Sequence, residues 1–190
     1  MMNEKIDKLL KEYMAMPCSN EREGGNFYKV MSQDFKLSNG KIITREFVKK
    51  RKAAVILPIT QQEKIVCIIQ PMALTKEGSL LEVPAGYIEE GEEIEQGAIR
   101  ELIEETGYVP EKVIYLGDHY QDPGSIKESV SVFVGIGCQK MYDQNLDDGE
   151  NIIRLEIDKS EVIQLMDNNQ IKDANTYIAL AKSRFKGYLW

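Results

Sequence analysis

Residues 86–108 read GYIEEGEEIEQGAIRELIEETGY and carry eight Glu in 23 positions. The apolar spacing from Ile94 onward predicts one amphipathic helix over about 93–106. On a helical wheel of about 100° per residue, with Ile94 at zero, Glu104, Glu101 and Glu105 fall near ~280°, ~340° and ~20°. Ala98, Leu102, Ile99 and Ile103 run from about 40° to about 180° on the same wheel. The three carboxylates therefore form one stripe that borders the apolar face.

This placement is unfavourable in three ways. Like charges three or four residues apart destabilise a helix by roughly 0.2–0.5 kcal/mol per pair. Glu104 and Glu105 sit in the last turn before Gly107, where the helix dipole disfavours anions by roughly 0.3–1 kcal/mol each. A carboxylate at the edge of buried surface also loses solvation. A bound divalent cation offsets all three, and clustered hard oxygens suit Mg2+ or Mn2+. A solvated acidic helix with Arg100 as local counter-charge meets the same geometry, so the wheel alone leaves both readings open.

The rest of the chain narrows the chemistry. Its 190 residues are 43% hydrophobic and 29% charged, enough for one ordinary domain with a real core. The net charge of −7 argues against binding to duplex nucleic acid. Three Cys at scattered positions suggest neither a zinc ribbon nor a disulfide framework, and reduced thiols in a cytoplasm are the simplest expectation. The first residues show no signal-peptide core, and no stretch has the roughly 18 apolar residues of a membrane span. His119 is the single histidine, so the chemistry is expected to run on carboxylates.

Outward from the acidic helix, 53–59 (AAVILPI) and 64–70 (KIVCIIQ) read as strands of a sheet covered on both faces. LLEVPAG, KVIYLGDHY, SVSVFVGIG and IIRLEI read as further strands, QDPGSIKE as a polar loop, and 19–26 as another loop. Two helices close the chain, the second with Asp173 as N-cap. At the front, residues 4–15 carry a short amphipathic helix, and 27–50 read as strands around an Asn39-Gly40 turn. The expected class is α/β (α+β): a mixed sheet with helices on both faces over 51–190, and a thin appendage at 1–50.

The spacing in the opening stretch is Gly86, five residues, Glu92, seven residues, then Arg100-Glu101-Leu102-Ile103-Glu104-Glu105-Thr106-Gly107-Tyr108. It resembles the signature of the Nudix hydrolases, with Tyr108 in place of the last aliphatic residue. The resemblance implies an α/β/α sandwich around a mixed sheet. It also implies hydrolysis of a nucleoside diphosphate linked to another group, with metal held by the glutamates. Carried over by position, Glu101 and Glu105 are the principal metal ligands and Glu104 a further ligand or base. The carbonyl of Ala85 is an added ligand. Arg100 is expected to pair with Glu92, and Gly86 and Gly107 to supply unusual backbone angles.

The flanks, Glu82-Val83-Pro84-Ala85-Gly86 and Pro123-Gly124, resemble the ADP-ribose pyrophosphatase group of that family. In this group a glutamate after the proline loop is implicated as the base, and Glu128 stands there. A charged residue beside Lys127 also reads as solvent-facing. One departure is Gln70-Pro71-Met72, where the group often carries a substrate-binding arginine. Lys76 or the run Lys49-Lys50-Arg51-Lys52 are the candidate replacements, and the run also reads as a solvated, positively charged strand end. Tyr28, Arg51 and Glu82 are the expected substrate contacts, with Phe27 as another aromatic able to stack on a base; Phe27 and Tyr28 each also read as core or interface packing. ADP-ribose is the leading substrate, with GDP-mannose or another sugar nucleotide next. A nucleotide-sensing module and a clean-up enzyme for damaged triphosphates are the other readings. The resemblance further implies a homodimer built through the N-terminal strands.

Overall fold

The computed structural model describes residues 2–16 and 28–189. Phe27, Cys18 and the loop expected at 19–26 lie outside the described residues. In chain order the elements are α1 (Met2–Glu12), β1 (Val30–Lys36), β2 (Ile42–Lys49), β3 (Ala53–Thr60), β4 (Lys64–Met72), β5 (Gly78–Glu82) and β6 (Ala85–Tyr87). There follow α2 (Ile94–Thr106), β7 (Tyr108–Val109), β8 (Lys112–His119), β9 (Ile126–Lys127), β10 (Val130–Lys140), β11 (Ile153–Asp158), α3 (Lys159–Asp167) and α4 (Ala174–Phe185).

β3 explains the architecture. Its apolar run is continuous because successive side chains enter two different cores. Val55, Leu57 and Ile59 join the larger cluster, which also holds Val162 and Leu165 of α3 and Ala179 and Leu180 of α4. Ala54 and Ile56 face the other way, toward Ala98 and Leu102 of α2. The main sheet runs β11-β4-β3-β10-β7, with β5 on β4, β6 on β3 and β8 on β10. It is mixed, since β10 lies parallel to β3 while β4, β6 and β8 pair antiparallel to their neighbours. The result is the expected α/β/α sandwich. Asp173 caps α4 by accepting the Thr176 N–H at 2.7 Å. Among the described residues no helix is long and apolar enough to cross a membrane.

The first 50 residues divide. Ile6 of α1 is fully buried in the larger core, and Leu9, Leu10 and Tyr13 pack against it. The Ser79 hydroxyl donates to the Leu10 carbonyl at 2.5 Å, so this helix is bonded to the main body. The hairpin of β1 and β2 stands apart from the main sheet, and every residue of β1 is exposed. Gly40 supplies its turn at φ 83°. The polar loop expected at 121–128 is partly strand: β9 pairs in parallel with the end of β2, at Val48↔Ile126 and Lys49↔Lys127. A two-residue strand carries no periodicity of its own, and the partner edge alone creates it.

Candidate active site

β6 and α2 bracket a loop that Arg100 holds in place. Its Nε donates to Glu92 Oε1 at 2.9 Å and its Nη2 to Glu92 Oε2 at 3.1 Å and the Tyr87 carbonyl at 3.0 Å. Its Nη1 donates to Glu101 Oε1 and Glu104 Oε2, both at 2.9 Å. The guanidinium's pKa is raised further, first by the Glu92 bonds, and the Glu92 carboxyl is held low by the same contact. The expected pair is thus present and extends to two of the carboxylates in the stripe.

The glutamates differ by depth. Glu105 is only 3% exposed and accepts the Ala85 N–H on Oε2 at 3.2 Å. Burial, and then the charge of Glu101, push its pKa well above the usual carboxylate range. Burial also raises that of Glu101; the Arg100 contact opposes the shift, and Glu104 and Glu150 add to it. Gly86 makes room for Glu101, since a Cβ there would lie 2.1 Å from the Glu101 carboxyl carbon.

The far end of α2 is closed from a distant segment. Gly107 ends the helix at φ 74°, and a Cβ on it would lie 2.0 Å from the Tyr142 carbonyl oxygen. The last carbonyls of a helix have no partner inside it. Here Glu104 O accepts from Asn145 N at 2.8 Å, and Gly107 O accepts from Met141 N and Tyr142 N, both at 3.0 Å. Glu105 O accepts from Gln144 Nε2 at 2.7 Å, and Thr106 O from Arg154 Nη1 at 2.5 Å. The Arg154 guanidinium offsets part of the negative end of the helix. It also lies 5.5 Å from the Tyr108 ring centre, and the Tyr108 hydroxyl bonds Glu156. Tyr108, 4% exposed, therefore serves packing in the aliphatic position of the motif.

These elements enclose a cleft of about 320 Å3. Ala85, Gly86, Arg100, Glu101, Glu104, Glu105 and Arg51 line it together, as do Gln70, Tyr87, Asp147 and Glu150. Arg51 lies 4.9 Å from the centre of the Tyr87 ring, which anchors it at the mouth. Lys76 does not line the cleft; neither does Met72. Tyr28, 52% exposed, hydrogen-bonds Tyr87, whose pKa is raised to about 12, first by burial. Glu82 is 5% exposed and accepts the Gln70 amide N–H at 2.9 Å, while its other oxygen is buried without a partner. His119 lies outside the cleft, bonded to Asn175 at 2.9 Å.

Glu128 does not line this cleft, but its charge reaches the Tyr87 phenol that does. It lines a neighbouring cavity of about 680 Å3, and its Oε2 lies 3.8 Å from Lys50 Nζ. Its side chain is 3% exposed, so it is not solvent-facing either, and its Oε1 is buried without a partner. Lys50 and Lys52 line the same cavity while Arg51, between them, enters the carboxylate cleft. Alternation along an extended chain separates them. Sequence reasoning missed Asp147 and Glu150; only their acidity, in a stretch without periodicity, marked them.

The donors fit a hard divalent cation. They are carboxylates and a peptide carbonyl, and Glu105 is buried with one N–H donor and like-charged neighbours. Among the described residues no three acidic, His or Cys side chains already converge on one point. Arg100 Nη1 is bonded to both Glu101 and Glu104, so a cation competes with it for those two.

Comparison with known proteins agrees with this geometry. A family model described as the NUDIX domain matches residues 49–180. The chain belongs to the Nudix hydrolase family. It is 32% identical to an ADP-ribose pyrophosphatase of Bacillus subtilis, over 85% of this chain and 88% of that protein. It is 33% identical to a methanol dehydrogenase activator of Bacillus methanolicus, over 82% and 84%. Among solved structures, an ADP compounds hydrolase superposes with a TM-score of 0.72 at 21% identity, over 89% and 93%, which bears on the fold.

Proposed function

We propose that the protein hydrolyses the pyrophosphate bond of a nucleoside diphosphate sugar, with ADP-ribose, cleaved to AMP and ribose 5-phosphate, as the leading substrate. The observation that carries this is the buried Glu105 and the half-buried, Arg100-paired Glu101, which line one cleft together with two arginines. Glu101, Glu105 and the Ala85 carbonyl would hold Mg2+ or Mn2+, with Glu104 as a further ligand. A bound divalent ion supplies the charge that neutralises diphosphate oxygens and polarises the phosphorus under attack.

The chain's own residues do the rest. Arg51 grips a phosphate through its guanidinium fork, the part left open at Pro71-Met72. Arg100, tied to Glu92, keeps the loop seated. Glu150 lines the cleft and accepts the proton of the attacking water; Glu128, beside Lys50, is the less favoured candidate for that role. Gln70, braced by Glu82, faces the substrate.

Product analysis tests the reading. Purified protein with Mg2+ or Mn2+ is expected to yield AMP and ribose 5-phosphate from ADP-ribose. GMP from GDP-mannose, with ADP-ribose untouched, keeps the reaction and changes the substrate. No monophosphate from a broad panel of nucleotides refutes it. The same reading takes the protein as a cytoplasmic homodimer without nucleic-acid partners. Cys67 and Cys138 are buried free thiols, which suits a reducing compartment. Val30, Met31 and Ile42 of the hairpin are 69%, 43% and 65% exposed, a surface suited to burial on a second copy. Light scattering on the purified protein checks the mass.

A further inference from the structure

We propose that Gln144 is a positioning residue that sets Glu150 over the carboxylate cleft. The inference rests on the reading of Glu150 given above. Gln144 Nε2 donates to two carbonyls at once, Glu105 O at 2.7 Å and Ile152 O at 3.3 Å. The first belongs to the last turn of α2. The second stands at the entry to β11, where Ile152 is 6% exposed. Between them, residues 145–151 make a short excursion that carries Asp147 and Glu150 to the cleft.

The excursion has little else to hold it. Asn145, Asp147, Asp148, Gly149 and Glu150 are exposed, so core packing does not fix it. Asn145 N bonds Glu104 O at 2.8 Å at its start. Inside it, Glu150 N bonds Asp147 O at 2.9 Å and Asp147 N bonds Glu150 Oε2 at 3.0 Å, which shapes the turn but does not anchor it. Arg154 of β11 also ties the strand to the helix end, at Thr106 O, but Gln144 is the side chain that bonds both sides of the excursion itself. Both of its contacts come from one amide nitrogen, so that amide pins the start of the excursion to its return. A carboxylate displaced by about 1 Å from its working position costs a reaction of this kind up to about 100-fold.

Gln144→Met keeps the side chain's length and removes the donor. Its kcat for the monophosphate-releasing reaction is expected to fall about 10- to 100-fold, with KM changed less than about threefold. Amide hydrogen exchange should quicken at 145–150 and stay unchanged across 94–104. Mn2+ affinity, measured by titration, should stay within about twofold, because the Glu105 side chain is not touched. In the Glu150→Gln background, Gln144→Met should add no further loss, since the two act as one unit. Gln144→Lys, which returns an N–H donor, should recover most of the activity and serves if the Met variant folds poorly. An unchanged kcat, losses that multiply in the double variant, or a matching loss of Mn2+ binding each overturn the inference while leaving the functional reading intact. A wild type that releases no monophosphate overturns both.

Discussion

Glu105→Gln separates a functional charge from a structural one. The side chain is 3% exposed, lies at the dipole-negative end of α2, and is four residues from Glu101. The dipole contributes roughly 0.3–1 kcal/mol against it. The Glu101 pair adds roughly 0.2–0.5 kcal/mol. Glutamine keeps an oxygen for the Ala85 N–H and removes both terms. The metal-free variant should therefore be more stable by about 0.5–1.5 kcal/mol, at about 2–4 °C in Tm per kcal/mol for a chain of this size. The sign of the pH dependence follows from burial. The folded-state pKa is raised, so the folded protein binds the proton more readily than the unfolded one, and stability falls as pH rises above about 4.3. The Tm advantage should vanish at about pH 4 and open above it. Activity should move the other way, with kcat down at least about 100-fold. Saturating Mg2+ should raise the wild-type Tm and leave the variant's unmoved. Thermal unfolding with chelator and with Mg2+, from about pH 4 to 9, reads both effects. A variant that is less stable without metal, losing folding and activity in parallel, would refute the argument and make Glu105 a structural residue.

Three further outcomes follow from the cleft. Glu150→Gln should lower kcat by about 100- to 10,000-fold, the usual contribution of a general base, while Glu128→Gln costs less than about tenfold; steady-state rates in the opposite order return the role to Glu128. Arg51→Met should lower kcat/KM by about 10- to 100-fold, as expected for a charged hydrogen bond of about 1.5–3 kcal/mol, and Arg51→Lys should recover it only in part. Glu82, whose pKa is raised to about 8 by burial and then by Asp173, makes the wild type less stable as pH climbs from about 4.3 to that value. Glu82→Gln should remove that slope, gaining little at pH 5 and up to a few kcal/mol above pH 8 in chemical unfolding; parallel curves for the two proteins would show that burial does not strain this carboxyl.

The helix and its stripe were legible because they depend on spacing within 23 residues. Arg100 to Glu92 is likewise a short-range pair, and β3 announced two-sided burial by an unbroken apolar run. What escaped the sequence lies across long separations. Asp147 and Glu150 line one cleft with Glu101 and Glu105 because backbone donors at 141–145, the Gln144 amide and Arg154 take up the open carbonyls of α2. Nothing in MYDQNLDDGENI has a period that says so, and its acids read as a solvated loop. Glu128 shows the converse. The resemblance of the proline loop to the ADP-ribose pyrophosphatase group implied a place in the cleft; β9 pairs with β2 and sets the Glu128 carboxylate beside Lys50 in the neighbouring cavity. Arg51 fell the useful way, since it lies in the link between β2 and β3 and enters the carboxylate cleft while Lys50 and Lys52 line the other cavity. Motif spacing thus specifies the groups carried by one helix. The partners that complete the site are chosen by whichever backbone must satisfy that helix's unpaired end, and in this protein that obligation brings the second set of carboxylates to the first.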